Sequence, residues 1–265
     1  MVPVLIATVS VAVIGLIIGL LLVSFGRKFA VETDPKEEAV RDLLPGNNCG
    51  GCGYAGCDAC AKAIAAGEAS VNACPVGGET VASRIAQVMD VEVSGMTRMV
   101  AFVQCAGDCE HAKKSANYVG IQDCSAAVTS GLTDKNCLYG CLGLGSCVKA
   151  CQFDAISIVN GVAFVNRAAC KACGKCVEAC PKHLIELIPD PSGYAVRCSS
   201  KDRGPAVKKS CSVGCIGCRL CEKQCEHDAI HVENNIARID YAKCVNCGKC
   251  AEKCPAGAIM KRLPD

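Results

Sequence analysis

The amino-acid sequence predicts an α+β chain: small cysteine-centred modules carried behind one N-terminal membrane-crossing helix. Three observations predict it: an uncharged apolar run near the N-terminus, 26 cysteines in 265 residues, and a register in which cysteines recur 74 positions apart. Lys+Arg total 28 and Asp+Glu 26, for a formal net charge of +2, which argues against a nucleic-acid partner held by phosphate neutralisation. There is no Trp, and only five Tyr and five Phe, so large aromatic side chains cannot dominate a core. A cysteine share of roughly one in ten marks a framework rather than chance usage, and the modules are expected to be centred on their thiols.

The first element runs from Val4 to Phe25, VLIATVSVAVIGLIIGLLLVSF. As a helix it rises about 33 Å, enough for the ~30 Å hydrocarbon layer. A cleaved signal would want a basic leader and a shorter apolar stretch. No Lys or Arg precedes this run and it is too long, so residues 1–28 read as a retained anchor. Arg27 and Lys28 follow at once, and the positive-inside rule puts everything beyond them on the cytoplasmic side of the inner (plasma) membrane. That compartment is reducing, so the cysteines read as metal ligands rather than disulfides. Residues 29–46 are charged and read as a solvated stalk, with a short helix from Pro35 to Leu44.

The next segment, 47–90, opens with Asn48-Cys49-Gly-Gly-Cys52-Gly-Tyr-Ala-Gly-Cys57, and Cys74 follows before Pro75. Glycines at short gaps let the backbone curl so that several sulfurs face one centre. A helix over Asp58–Ala66 would carry the chain away and bring Cys74 back as fourth ligand. Four thiolates suit zinc or an iron–sulfur cluster; three clustered sulfurs and one remote fit the cubane better than paired knuckles. Cys60, inside the helical stretch, reads as a packed thiol. Neither this glycine run nor Gly140–Gly145 opens a strand–turn–helix unit with a downstream acid, so phosphate binding is not expected.

Cys170-x2-Cys173-x2-Cys176-x3-Cys180-Pro181 and Cys244-x2-Cys247-x2-Cys250-x3-Cys254-Pro255 both match the bacterial ferredoxin run. Cys215-x2-Cys218-x2-Cys221-x3-Cys225 is a third copy with Glu226 in place of proline. The pairs 137/211, 141/215, 147/221, 151/225, 170/244, 173/247, 176/250 and 180/254 each stand 74 apart, and both members are cysteine. Tandem ferredoxin-like modules of the 2[4Fe-4S] kind are therefore expected at 132–190 and 206–265, joined by a linker at 191–205. Each should hold a hairpin, over Ala155–Val159 and Ala229–Val232 with the strands that follow, and small helices after its ligand runs. The fourth cysteine of a run ligates the other run's cluster. That gives Cys215, Cys218, Cys221 with Cys254; Cys244, Cys247, Cys250 with Cys225; and Cys170, Cys173, Cys176 with Cys151. The remaining site is irregular because Leu144 stands where Cys218 has its counterpart. Cys137 is the nearest replacement, giving Cys137, Cys141, Cys147 with Cys180.

The connecting segment 91–131 should form a strand at Met99–Val103. Its extra thiols suggest a sixth cluster from Cys105, Cys109 and Cys124 with Cys198 or Cys211. His111, His183, His227 and His231 pair with no cysteine in the Rieske manner, and no C-x-x-C-H haem motif occurs.

Five [4Fe-4S] clusters, with the sixth, and no visible catalytic acid, base or nucleotide loop mean electron relay. The N-terminal span, NNCGGCGYAGC…CP and the tandem ferredoxin motifs together resemble the B subunits of the Rnf complexes, ion-translocating ferredoxin:NAD+ oxidoreductases. The resemblance covers essentially the whole chain and fits a longer form with two ferredoxin-like modules. It implies a cytoplasmic arm that takes electrons from soluble reduced ferredoxin and hands them to the other subunits, where NAD+ reduction is coupled to Na+ or H+ export. The terminal module is expected to dock the donor. An iron–sulfur subunit of another membrane oxidoreductase, such as a hydrogenase, is the alternative; a zinc-stabilised scaffold is a third reading.

Overall fold

The computed structural model describes residues 2–28, 34–93, 95, 97–131 and 133–262. The apolar run forms helix α1 (Val2–Lys28), with Pro3 in its first turn where a missing N–H costs nothing. Side chains are described at Ile6, Ser10 and 12–26, and the large apolar ones lie exposed, Leu22 at 68 %. Among the described residues no helix is long and apolar enough to cross a membrane, so the expected anchor is not shown here as a span.

Helix α2 (Pro35–Leu43) starts on Asp34, whose carboxylate accepts the Lys36 N–H at 2.8 Å, with Pro35 preset for the first turn. The expectation of a solvated stalk does not survive this far. Val40 and Leu44 are buried with Cys60, Ala61 and Ile64 of α3 (Cys57–Ala65) and Ile85 of α4 (Gly78–Met89). Three apolar stripes at helical spacing thus close a small core over the first cysteine group. Residues 29–33 of the stalk lie outside the described residues.

Strand β1 (Met99–Val103), helices α5 (Cys124–Ser130) and α6 (Ser146–Ala150), strands β2 (Ile156–Val159) and β3 (Val162–Val165), helix α7 (Lys175–Glu178) and strand β4 (Ile185–Pro189) follow. Then come β5 (Tyr194–Val196), α8 (Gly204–Ser210), α9 (Leu220–Gln224), β6 (Ile230–Glu233), β7 (Ile236–Ile239), α10 (Lys249–Glu252) and β8 (Ile259–Lys261). The strands form antiparallel pairs β1–β4, β2–β3, β5–β8 and β6–β7. Both hairpins turn through two residues with positive φ, Asn160-Gly161 at 48° and 74° and Asn234-Asn235 at 51° and 64°. Asn and Gly tolerate that left-handed backbone, and its twist matches the strands on either side.

The outer pairs redraw the segment boundaries. Val100 pairs with Ile188, so the connecting segment supplies the strand that closes the first ferredoxin-like module. Val196 pairs with Ile259, so the linker supplies the equivalent strand of the second. Each unit is a short leading strand, an inner hairpin and a closing strand. Ile188, Leu184, Val100 and Ile156 fill the first core, and Ile230, Ile236, Ile259 and Ala258 the second.

Candidate metal centres

In the first cysteine group, Asn48, Gly50 and Gly53 hold positive φ and wind the loop. Asn48 Oδ1 accepts the Cys57 N–H at 2.7 Å, fixing the third thiol at the start of α3. Cys74 returns within electrostatic reach of Cys52 and Cys57, and its sulfur accepts the Gly77 N–H at 3.4 Å. Cys60 is 1 % exposed in the core, and burial pushes its thiol up to about 12.

The ferredoxin runs bring together most of the expected sets. Cys151, Cys170, Cys173 and Cys176 line one cavity, and Cys225, Cys244, Cys247 and Cys250 another. Cys221 lies within reach of Cys215, Cys254 and Cys218. The chain therefore crosses its fourth cysteines between runs as the motif requires.

The irregular site differs from expectation. Its cavity is lined by Cys141, Cys147, Cys180 and Cys124, not Cys137. Cys124 is the first residue of α5, whose cap Asp123 accepts the N–H groups of Ser125 and Ala126. Ser146, at the start of α6, donates to Asp123 at 2.8 Å and accepts the Cys124 N–H at 2.7 Å. Two helix starts are thereby pinned together, and Cys124 fills the gap that Leu144 leaves. The sequence signal is the cap motif Asp123-Cys124, but its distance from the run hides the link.

Cys137 instead shares a cavity with Cys105, Cys198 and Cys211. The structure groups the expected sixth set differently: Cys198 and Cys211 both line this cavity with Cys105, while Cys124 and Cys109 do not. Cys109 is exposed against the β2–β3 turn, where its N–H bonds the Asn160 carbonyl at 2.9 Å. The shared cavity has a two-fold character. Cys105 stands two residues after β1 and Cys198 two residues after β5, while Cys137 and Cys211 are register partners. Cys105 Sγ accepts the Cys141 N–H at 3.4 Å, and Cys198 accepts that of Cys215, the register partner of Cys141. Asn136 donates across to Ser210, its own counterpart 74 residues on, at 3.3 Å. Two thiols from each module meet at the joint between the modules.

Burial lifts the thiols of Cys147, Cys176 and Cys221 to about 12 and that of Cys198 to about 11. As free thiols they are poor nucleophiles; bound to iron they would be held as thiolates. Among the described residues no group of three or more His, Cys, Asp or Glu could hold a single metal ion. Zinc at ~2.3 Å from each sulfur would draw four sulfurs to within about 3.8 Å of one another. Here four sulfurs line each of four cavities. Backbone amides point at the sulfurs too: Ala101 at Cys170, Leu184 at Cys180, Ala229 at Cys225 and Ala258 at Cys254, all at 3.3–3.4 Å. Four sulfurs about a cavity, with N–H donors aimed at them, suit a thiolate-ligated cubane.

Three family profiles match the chain: "Putative Fe-S cluster" over residues 44–76, "4Fe-4S binding domain" over 163–186 and "4Fe-4S dicluster domain" over 214–258. The B subunit of the Na(+)-translocating ferredoxin:NAD(+) oxidoreductase complex of Acetobacterium woodii is 45 % identical over 93 % of this chain and 74 % of its own length. The B subunit of the ion-translocating oxidoreductase complex of Methanosarcina acetivorans is 44 % identical over 96 % of this chain and 97 % of its own. The B subunit of the proton-translocating ferredoxin:NAD(+) oxidoreductase complex of Clostridium ljungdahlii is 44 % identical over 95 % and 90 %.

Proposed function

Because this chain belongs to the family of B subunits of ion-translocating oxidoreductase (Rnf) complexes, we propose that its cysteine sites act in series as the arm that carries electrons from reduced ferredoxin to the other subunits. It is an iron–sulfur electron-relay subunit of an ion-translocating ferredoxin:NAD+ oxidoreductase, and its complex is membrane-associated. A [4Fe-4S] cluster supplies a one-electron change of charge without bond rearrangement.

The observation that carries the proposal is the continuity of the thiol cavities. The terminal site (Cys225, Cys244, Cys247, Cys250) shares its ligand runs with the site of Cys215, Cys218, Cys221 and Cys254. Cys198 of the shared cavity lies beside Cys215 on one side, and Cys105 bonds Cys141 on the other. Within the first module Cys176 is in electrostatic reach of Cys147, and beyond it Cys173 is in reach of Cys49. The series therefore runs from the C-terminal module to the N-terminal four-cysteine group, with the shared cavity as its bridge. Without the bridge the two modules would be separate two-site units.

Donor docking at the terminal module is supported by Cys247, which is exposed, and by Val245, 56 % exposed between Cys244 and Cys247. Anchoring by α1 is supported by its exposed apolar side chains, and a cytoplasmic location for the sites by Arg27 and Lys28 directly behind it.

Six sites at about four iron each give about 24 iron per chain when it is purified anaerobically. A count near 20 rejects the bridge, and a colourless zinc protein rejects the relay. Val245→Glu should weaken ferredoxin-dependent reduction while leaving iron content intact; unchanged kinetics would move the docking face elsewhere.

A further inference from the structure

Lys135 is the one charged side chain buried among the described residues, at 5 % exposure. It lines the cavity shared by Cys105, Cys137, Cys198 and Cys211, and its Nζ donates to the carbonyls of Gly107 at 2.7 Å and Gly161 at 2.8 Å. Among the described residues it has no carboxylate partner. A buried ammonium is costly when its charge is not matched, and two carbonyl dipoles offset only part of that cost. The thiolates of the cavity that Lys135 lines can supply matching charge. Lys135 is within electrostatic reach of Cys211 of this cavity and of Cys141 of the neighbouring site.

The two-fold character of the site isolates this residue. Its register partner, Lys209, is exposed near the end of α8, so only one half of the joint places an ammonium at the cavity. Arg197 also lines the cavity, but its guanidinium is turned to the Cys105 carbonyl at 3.2 Å and to Met260 Sδ. Asp202 acts in the opposite sense on Cys137. Among the described residues no second buried cation stands beside a site of the series.

We propose that Lys135 is the fixed counter-cation of the bridging iron–sulfur site, raising that site's reduction potential so that an electron rests there between the two modules. This rests on the bridging site proposed above. One electron arrives from a neighbouring site and leaves to the next; no bond to the protein forms or breaks. The ammonium offsets the added negative charge, so no proton has to enter. Charge near a cluster is one of the recognised determinants of its potential.

The test is a redox titration of the full chain, purified anaerobically, followed by electron paramagnetic resonance, for wild type, Lys135→Met and Lys135→Arg. In K135M one midpoint should become more negative by at least a tenfold change in the reduction equilibrium, ~59 mV for one electron. The midpoint of the neighbouring Cys141 site should move less in the same direction and the remaining midpoints should hold, and K135R should restore the wild-type values. Full iron content in K135M with every midpoint unchanged overturns the assignment. So does loss of iron in both variants, which would make Lys135 a structural residue only. Cys137→Ser separates this failure from failure of the bridge itself: if C137S keeps the wild-type iron count, the bridging site is wrong whatever Lys135 does.

Discussion

Gly51→Ala should loosen the joint between the N-terminal four-cysteine group and the first ferredoxin-like module. A Cβ at this position would stand 2.8 Å from the Cys173 carbonyl oxygen, 2.9 Å from its Cα and 3.2 Å from its carbonyl carbon. All three atoms are backbone in a loop that also carries Cys170, so no side chain can swing aside. Ordinary contact at ~3.5–4.0 Å requires the two surfaces to part by roughly 0.6–1 Å. Overpacking of this kind costs about 1–3 kcal/mol, which lowers the docked-to-undocked ratio about 5- to 150-fold. Little else resists it, since α2, α3 and α4 pack on one another around their own core. Hydrogen exchange of the amides at 172–175 should accelerate in the variant, and magnetic coupling between the two neighbouring clusters should weaken, with iron content unchanged. Gly53→Ala is the contrast: its φ of 85° makes the change locally strained, but nothing lies within 4 Å, so coupling should persist. Wild-type exchange and coupling in G51A would refute the close-approach argument.

Cys124→Ser and Cys137→Ser should each remove about four iron, but from different sites: C124S should silence the signal of the Cys141/Cys147/Cys180 cluster, C137S that of the bridge. The same signal lost in both variants would refute the cavity assignments. Asp123 is held below the usual carboxylate range, first by the Ala126 N–H and then by the Ser146 hydroxyl. Its capping of α5 is therefore present above about pH 4 and lost as pH falls through the lowered folded value, so amide protection at 125–126 should decay only on the acid side. Asp123→Asn should flatten that dependence, as measured by exchange across roughly pH 3–5; an unchanged profile would exonerate the carboxyl. Ile188→Ala, at 1 % exposure opposite Val100, should destabilise the first module by about 2–5 kcal/mol in anaerobic denaturant unfolding, and a cost well under 1 kcal/mol would place the core elsewhere.

Local patterns are legible in the residues. The strand at Met99–Val103, both hairpins with their Asn-containing turns and the helix beginning near Pro35 all follow from turn chemistry, caps and alternation. Crossed ligation within the ferredoxin runs accounts for the company that Cys151, Cys225 and Cys254 keep. The long-range closures are not legible in the same way. Nothing in residues 99–103 announces a partner at 185–189, because a short apolar strand fits many edges. The place of Cys137 is hidden for the same reason, since nearness along the chain favours Cys141 while the module joint favours Cys211. The 74-residue register pairs 137 with 211, and that pairing is the better guide. Val40 sits in a stretch too charged to advertise its single buried stripe.

The shared cavity also has a consequence for biosynthesis. Its first thiol is at residue 105 and its last at 211, with the closing strands β4 and β8 at 185–189 and 259–261. During synthesis the N-terminal four-cysteine group can be loaded early, whereas Cys105 must wait until the second module exists. Metal binding and folding share one free energy at such a site. On the proposed bridge, the last site to be completed is the one that joins the modules, and loading it would add a metal tie to halves that already touch through Asn136–Ser210 and Arg262–Pro189.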